Sequence, residues 1–542
     1  MTSNLDCPAV LSLHRRARQG RLAGARTPGH KAVSPMTKTA PNDYHAAGTP
    51  ADSQAILKWL ESPSAPHPAE ELPTLRAHLT GLRQAPGALQ QKAVALDGLY
   101  ARASGVVAGL LPTLTERALP VAAKTRRLVR SIVDLLQVMA DETLALVEQL
   151  DPEHQPSVHH PSLSPTLALW RSLQASAQQL IVCHLIAAPP RVGTWQQLHQ
   201  TYATAQRLHL AAAVPDGLDS SLQHVYHAAV LLGCAHPASL TPPEVVFLAS
   251  YFERFADHLE PTTAASAGSP GTFWIDPTRD LPAASSQRKA TPQAQPIEYF
   301  SCARLCLLIR NQINALEAGT PARRLDLSDF AETPAGLGVL RRLVARWSGS
   351  GKRRFQRRRQ NTRTLLAAGL DNLWQVCRKG EPTASELSTW MITNESAEGY
   401  AVMHLSGKTG ALTVGGVVAV RTGSESEWQI CIVRWALSEN PEHLELGLQI
   451  LAPSAVSAVL AQPSDTLGTQ YLRVLLLPEI PRLRPVKLLV TASGALAKRR
   501  SRQVLVIEGE NIVVREVTST QIDEQTTSVD ILSIEPEPNP DE

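Results

Sequence analysis

The hydrophobic period of this chain changes once, near residue 363, and that change sets its architecture in outline. Upstream the period is helical. Leu128, Ile132, Leu135, Leu136 and Met139 form one apolar stripe, with Arg126, Arg127 and Arg130 flanking it. Thr241-Pro242-Pro243-Glu244 supplies a capping residue, a first-turn proline and a glutamate three positions on, so a helix over 245–255 begins there. Pro189-Pro190, Pro215-Asp216-Gly217 and Pro237 divide the region into antiparallel helical hairpins. Trp195, Leu198 and Tyr202, with Ala211 further on, have the first-helix spacing of a tetratricopeptide repeat. His199 stands where that repeat wants glycine and no second copy follows, so a generic helical bundle is the expectation. Downstream, residues 417–420, 428–435 and 445–451 are short β-type runs separated by turn residues, the pattern of a small antiparallel barrel. Further β-type runs follow at 471–477, 486–491, 503–507, 512–517 and 528–534. The fold class expected is multidomain α+β: an N-terminal α-helical bundle, an antiparallel β-barrel and a C-terminal β-rich region.

At 542 residues the chain exceeds what one core serves, and composition suggests the boundaries. Residues 1–50 read as a disordered basic extension: within the first 35, Arg15, Arg16, Arg18, Arg21, Arg26 and Lys31 face a single acid, Asp6, with no apolar signal core. An alternative places the true start at Met36. An α-helical domain spans 51–262. Residues 263–350 read as linker, one short strand at 273–276, and helices carried by Leu305, Leu308, Ile309, Ile313 and the 337–347 run. Ser348-Gly349-Ser350-Gly351 ends them with residues that let the chain swivel. The barrel with an arginine-rich arm covers 351–455, and a small β-rich domain covers 456–542. From Glu516 onward there are eight acids and no Lys or Arg, which reads as a solvated acidic tail.

A formal charge of +3 excludes a molecule built throughout as a glove for nucleic acid. Seven scattered cysteines suit a reducing cytoplasm better than a disulfide framework. Cys302 and Cys306 are four apart but lack a second Cys/His pair for zinc. No uninterrupted apolar stretch reaches the roughly 18 residues that span a bilayer. The expectation is a cytoplasmic protein without a membrane span.

The chemistry concentrates in one place. Between Arg341 and Arg363 lie ten basic residues and no acid. Such a run serves as a solvated face, as a patch for nucleic acid or anionic lipid, or as a specific anion site. Arginine dominates it, and the guanidinium fork pairs with phosphate oxygens and guanine O6/N7 and stacks on purines. Downstream comes the polar turn Asn394-Glu395-Ser396-Ala397-Glu398-Gly399. Asn394 offers a carbonyl to purine donors, Ser396 a hydroxyl, and Gly399 a close backbone approach. The same residues also make an ordinary β-turn. Catalytic patterns are missing: there is no P-loop, GxGxxG, HExxH or GxSxG. His154, His159 and His160, like His224 and His227, lack spaced partner groups. Neither an enzyme nor a cofactor is expected.

Arg359 and Arg363 form an RxxxR pair with Arg358 adjoining, and Asn394, Ser396 and Gly399 form an NxSxxG turn some 31 residues later. With the strands carrying Val433, Trp435, Gly447 and Gln449, this ordered set over about 351–453 resembles the PilZ family of cyclic di-GMP receptors. The resemblance implies that Arg358, Arg359 and Arg363 hold the phosphates and guanines of cyclic di-GMP while Asn394, Ser396 and Gly399 line the other side. The arm's position between two domains suggests a mechanism: the dinucleotide folds a flexible arginine arm onto the barrel, altering how the helical module sits and signalling to a protein partner. Three departures accompany the resemblance. Asn394 replaces the commoner aspartate. Arg353/Arg357 and Arg354/Arg358 share the RxxxR spacing. The long interval suggests an inserted helical turn over 371–379. Two other readings stand beside it: a helical protein-interaction scaffold with a degenerate, non-binding barrel, and a binder of nucleic acid or anionic membrane through the basic run.

Overall fold

The computed structural model describes residues 53–536, apart from 116–117, 150–160, 293–295, 350–354, 380–386, 411, 424–426, 441–442, 464–468, 481–483, 497–501 and 509–511. The basic extension at 1–50, Met36, His154, His159, Arg353 and Arg354 therefore lie outside the described residues, as does His160.

The N-terminal part is helical: α1 (Ser53–Leu60), α2 (Leu72–Leu82), α3 (Leu89–Leu110), α4 (Ala123–Gln149), α5 (Pro165–Leu185), α6 (Thr194–Arg207), α7 (Leu222–Cys234) and α8 (Pro242–Phe255). Local chemistry starts several of them. Ser164 and Ser221 each accept a hydrogen bond from a first-turn amide of α5 and α7, and Glu244 accepts from the Thr241 amide at 2.9 Å. The α4 stripe behaves as its period implies, with Ile132, Leu135, Leu136 and Met139 fully buried. Trp195, Leu198 and Tyr202 are buried on α6, where Tyr202 stacks on Tyr226 of α7 with ring centroids 4.0 Å apart. Among the described residues, one stretch, Leu89–Leu114, is long and apolar enough by composition to cross a membrane. More than half of it is buried inside the protein, and two of its charges are paired, Arg102 with Glu71 at 2.7 Å and Asp97 with Arg171, while Lys92 donates to Arg83 O at 3.2 Å.

The linker expected after 262 is more ordered than its Ala/Ser/Thr/Pro composition suggests. It holds a four-stranded sheet in the order β1-β4-β2-β3, from β1 (Glu260–Thr262), β2 (Thr272–Ile275), β3 (Ala284–Ser285) and β4 (Glu298–Ser301). The anticipated short strand is β2, whose four residues are all buried. Helices α9 (Ala303–Glu317) and α10 (Pro334–Ser348) follow.

Two closed six-stranded antiparallel barrels complete the chain. The first has β5 (Arg358–Ala368), β6 (Leu387–Ser396), β7 (Gly399–Gly407), β8 (Val417–Arg421), β9 (Gln429–Asn440) and β10 (His443–Ala452), ordered β10-β7-β6-β5-β8-β9. The inserted turn is real: α11 (Leu370–Lys379) joins β5 to β6. Its buried Leu373, Trp374 and Val376 pack against Leu475, Leu477 and Val490 of the second barrel, and the Trp374 indole N–H donates to Ala458 O at 2.8 Å. That barrel is ordered β11-β12-β13-β16-β15-β14, from β11 (Val456–Pro463), β12 (Thr469–Leu477), β13 (Lys487–Ala492), β14 (Arg502–Glu508), β15 (Ile512–Gln525) and β16 (Val529–Pro536). The expected acidic tail is thus corrected as far as Pro536, because β15 and β16 are paired strands. Their acids have partners: Glu524 pairs with Arg434, and Asp523 accepts from Ser533 at 2.7 Å.

The helical part and the first barrel are seated against each other. Leu119 N–H donates to Leu412 O at 3.1 Å and Ser438 N–H to Ala187 O at 2.8 Å. The Arg126 guanidinium donates to the Ser438 carbonyl at 2.8 Å.

Candidate functional site

The arginines expected on a flexible arm form the first half of β5. Arg358, Arg359 and Arg363 are exposed there, while Thr364, Leu366 and Ala368 turn into the barrel. Arg363 therefore lies inside the first strand, not before it. Antiparallel pairing with β6 places Arg359 directly opposite Asn394 and Arg358 opposite Glu395. A bulge between Arg359 and Thr362 then resets the register, and Arg363 faces Met391. Cross-strand partners share a face of the sheet, so Arg359 and Asn394 act side by side. Arg363 stands in the neighbouring outer row, since its partner Met391 pairs with Met403, two residues along β7 from Ala401.

The turn that closes β6 onto β7 is a tight hairpin, with Ser396 paired to Gly399 and the Ser396 hydroxyl donating to Gly399 O at 3.3 Å. Gly399 is required by close approach. A Cβ there would lie 1.9 Å from Leu448 O on β10. The register continues across the barrel: Asn394 opposes Ala401, Ala401 opposes Gly447, and Gly447 opposes Trp435. Tyr400 and Val402, on either side of Ala401, belong to the barrel core, so this row lies on the outer wall. It is a shelf of small residues with Arg359 and Asn394 at one end and an indole at the other. Gly447 lets that indole lie against the backbone, since a Cβ there would come within 1.8 Å of Trp435 Nε1.

Beside the shelf opens a cavity of about 700 Å³, lined in part by Arg357, Arg434, Trp435 and Gln449 of the barrel segment. The Arg434 Nε–H donates to Gln449 Oε1 at 2.6 Å. Arg342 and Arg346 of α10 and Arg288 form the facing wall. Arg342 pairs with the buried Glu244 carboxylate at 2.5 Å and also donates to Gln525 O at 2.8 Å. Burial, together with the neighbouring Arg288, Arg342 and Arg434, pushes the Arg346 guanidinium down to about 10. None of Arg358, Arg359, Arg363, Asn394, Ser396 or Gly399 lines this cavity; Arg357 is the link between the two. The basic run points to Arg342, Arg346 and Arg357, but Arg288 and Arg434 are far from it in the chain and belong to no motif.

Outside this region the histidines have structural partners. His224 contacts Asp257 at 2.8 Å, and His227 is buried between Tyr202, Tyr226 and Phe300. Cys302 and Cys306 are buried at the start of α9.

A family model described as the N-terminal domain of the cyclic-di-GMP receptor FimW matches residues 54–266, and one described as the middle PilZ domain of that receptor matches residues 377–456. The second match contains Asn394, Ser396 and Gly399 and leaves Arg358, Arg359 and Arg363 outside it. A curated relative, the cyclic-di-GMP receptor FimW of Pseudomonas aeruginosa PAO1, is 23% identical over 394 residues. The alignment covers 58% of this chain and 63% of the relative, so it spans less than two thirds of the relative's length. No solved structure matches.

Proposed function

We propose that this chain, which carries a PilZ domain, is a cytoplasmic receptor for cyclic di-GMP. One observation carries the reading: adjacent strands set Arg359 of the arginine motif opposite Asn394 of the turn motif. Arg359 supplies charge and a planar fork to a phosphate or to guanine O6/N7, and Asn394 supplies an amide to the base edge. The name of the Pseudomonas aeruginosa relative supports the same ligand.

The signal follows from where the basic run is anchored. Arg341, Arg342 and Arg346 sit on α10, whereas Arg358, Arg359 and Arg363 sit on β5. An anion gathered between them acts on the helical module and the barrel together, and reseats one on the other. The helical module then shows a changed surface to a protein partner. Couplings of this kind are worth about 1–3 kcal/mol, enough to bias a partner. The protein binds and responds; no chemical step is assigned to it.

The test is calorimetric titration with cyclic di-GMP of the full chain, Arg359→Ala and Asn394→Ala. A charge-assisted hydrogen bond is worth about 1.5–3 kcal/mol, so Arg359→Ala loses about tenfold or more in affinity, and a neutral one about 0.5–1.5 kcal/mol, so Asn394→Ala loses about two- to tenfold. Equal heats for all three would remove the site. The PilZ match leaves Arg358, Arg359 and Arg363 outside it, which favours a second reading: a scaffold whose barrel has lost its ligand. In that case partner capture by the helical module is indifferent to the nucleotide.

A further inference from the structure

The cavity at the seam gathers arginines from distant parts of the chain. Five arginines line it, Arg288, Arg342, Arg346, Arg357 and Arg434, against two carboxylates, Glu244 and Glu524. Both carboxylates are already engaged, Glu244 by Arg342 and the Thr241 amide, and Glu524 by Arg434. Arg346 donates to the Ser239 hydroxyl at 3.2 Å, and neither it nor Arg288 has a carboxylate partner among the described residues. Converging cations without counter-charge cost stability unless an anion answers them. Its volume of about 700 Å³ lies within the usual range for small-molecule sites, and the Trp435 indole lines it. The ring stands beside Gly447, in the same outer row as Arg359 and Asn394.

We infer that the helical module supplies half of the ligand site: Arg346 and Arg288 take a phosphate of the cyclic dinucleotide in this cavity, with a purine stacked on Trp435, while Arg359 and Asn394 hold the other half on the barrel wall. The inference rests on the cyclic di-GMP reading above. It identifies how ligand reaches the helical module, through two arginines that no PilZ motif contains. Three parts of the chain meet at the cavity, since Thr526 and Glu524 of the second barrel also line it. The bound phosphate therefore draws the module and both barrels together.

The experiment titrates the full chain with cyclic di-GMP and compares it with Arg346→Ala, Arg346→Lys, Arg288→Ala and the Arg288→Ala/Arg346→Ala pair. Each alanine is expected to weaken binding by about tenfold, with the lysine restoring part of it. Arg288 is exposed, so its alanine variant leaves packing intact should Arg346→Ala fold poorly. A measurement on the unaltered protein runs alongside: arginine-selective labelling by phenylglyoxal, read by mass spectrometry, with cyclic di-GMP, with pyrophosphate or with neither. Protection of Arg288 and Arg346 by cyclic di-GMP supports the inference. Unchanged affinity in the double variant, with Arg359→Ala still impaired, overturns it and leaves the receptor reading standing. Protection by pyrophosphate but not by cyclic di-GMP overturns it as well. Absence of any binding to the unaltered chain removes the receptor reading itself.

Discussion

Replacing Gly399 by alanine separates a structural demand from a ligand contact within the turn motif. The added Cβ would sit 1.9 Å from Leu448 O, 2.9 Å from Leu448 C and 3.1 Å from Gln449 Cα. All three are backbone atoms of β10, so no side chain can swing away. β7 and β10 would have to part by about 1 Å before the closest contact reached the 3.0 Å floor for real Cβ atoms. That movement strains the end of the ladder, where Gly399 pairs with Gln449, Tyr400 with Leu448, and Ile450 N–H donates to Glu398 O at 2.9 Å. Overpacking of this kind costs about 1–3 kcal/mol. In a barrel of this size it lowers the melting temperature by roughly 4–8 °C per kcal/mol. The control is Gly81→Ala on α2, where an added Cβ meets nothing within 4 Å. There the change is expected to stabilise by up to about 1 kcal/mol through helix propensity. Scanning calorimetry of both variants reads the two signs. A Gly399→Ala protein that melts with the parent would refute the close-approach argument. The motif glycine would then owe its place to the ligand alone.

Three further outcomes are expected. Trp374→Ala removes the side chain that packs α11 against the second barrel, along with its 2.8 Å bond to Ala458 O; a loss of about 3–5 kcal/mol is expected, seen in calorimetry as separation of the two barrel transitions. His227 is buried, and burial above all pulls its imidazole down to about 4. The unfolded chain binds that proton near pH 6.5, so stability is fully present above 6.5 and falls as pH drops toward 4, by up to about 3 kcal/mol. Chemical denaturation across that window should be flatter for His227→Gln, and an identical pH profile would contradict the assignment. Arg126→Ala strips the buried Ser438 carbonyl of its donor across the seam; hydrogen exchange near 438 should rise while that in the core of α4 does not.

Where a property repeats along the chain, the sequence revealed it. The stripe on α4, the capping glutamate of α8, the barrel strands and the inserted helix α11 all follow from local period or punctuation. The sheet at 260–301 does not, because two of its strands have only two or three residues and take their order from neighbours. The run at 512–517 showed the start of β15, but its continuation to Gln525 read as an acidic tail, since a charge-rich strand on a barrel surface looks like a solvated segment until its partners are known. In the candidate site, the residue types were legible but their register was not. A single bulge decides that Arg359 stands opposite Asn394 and Arg363 opposite Met391. The seam cavity was beyond reach, because it is a meeting of three surfaces that share no local pattern.

The most direct measurement is a calorimetric titration of the unaltered full chain with cyclic di-GMP and, separately, with cyclic di-AMP. Arginine forks and an asparagine amide facing a guanine edge predict a saturable heat with the first and little with the second. No saturation with cyclic di-GMP, or matching curves for the two dinucleotides, would contradict the account.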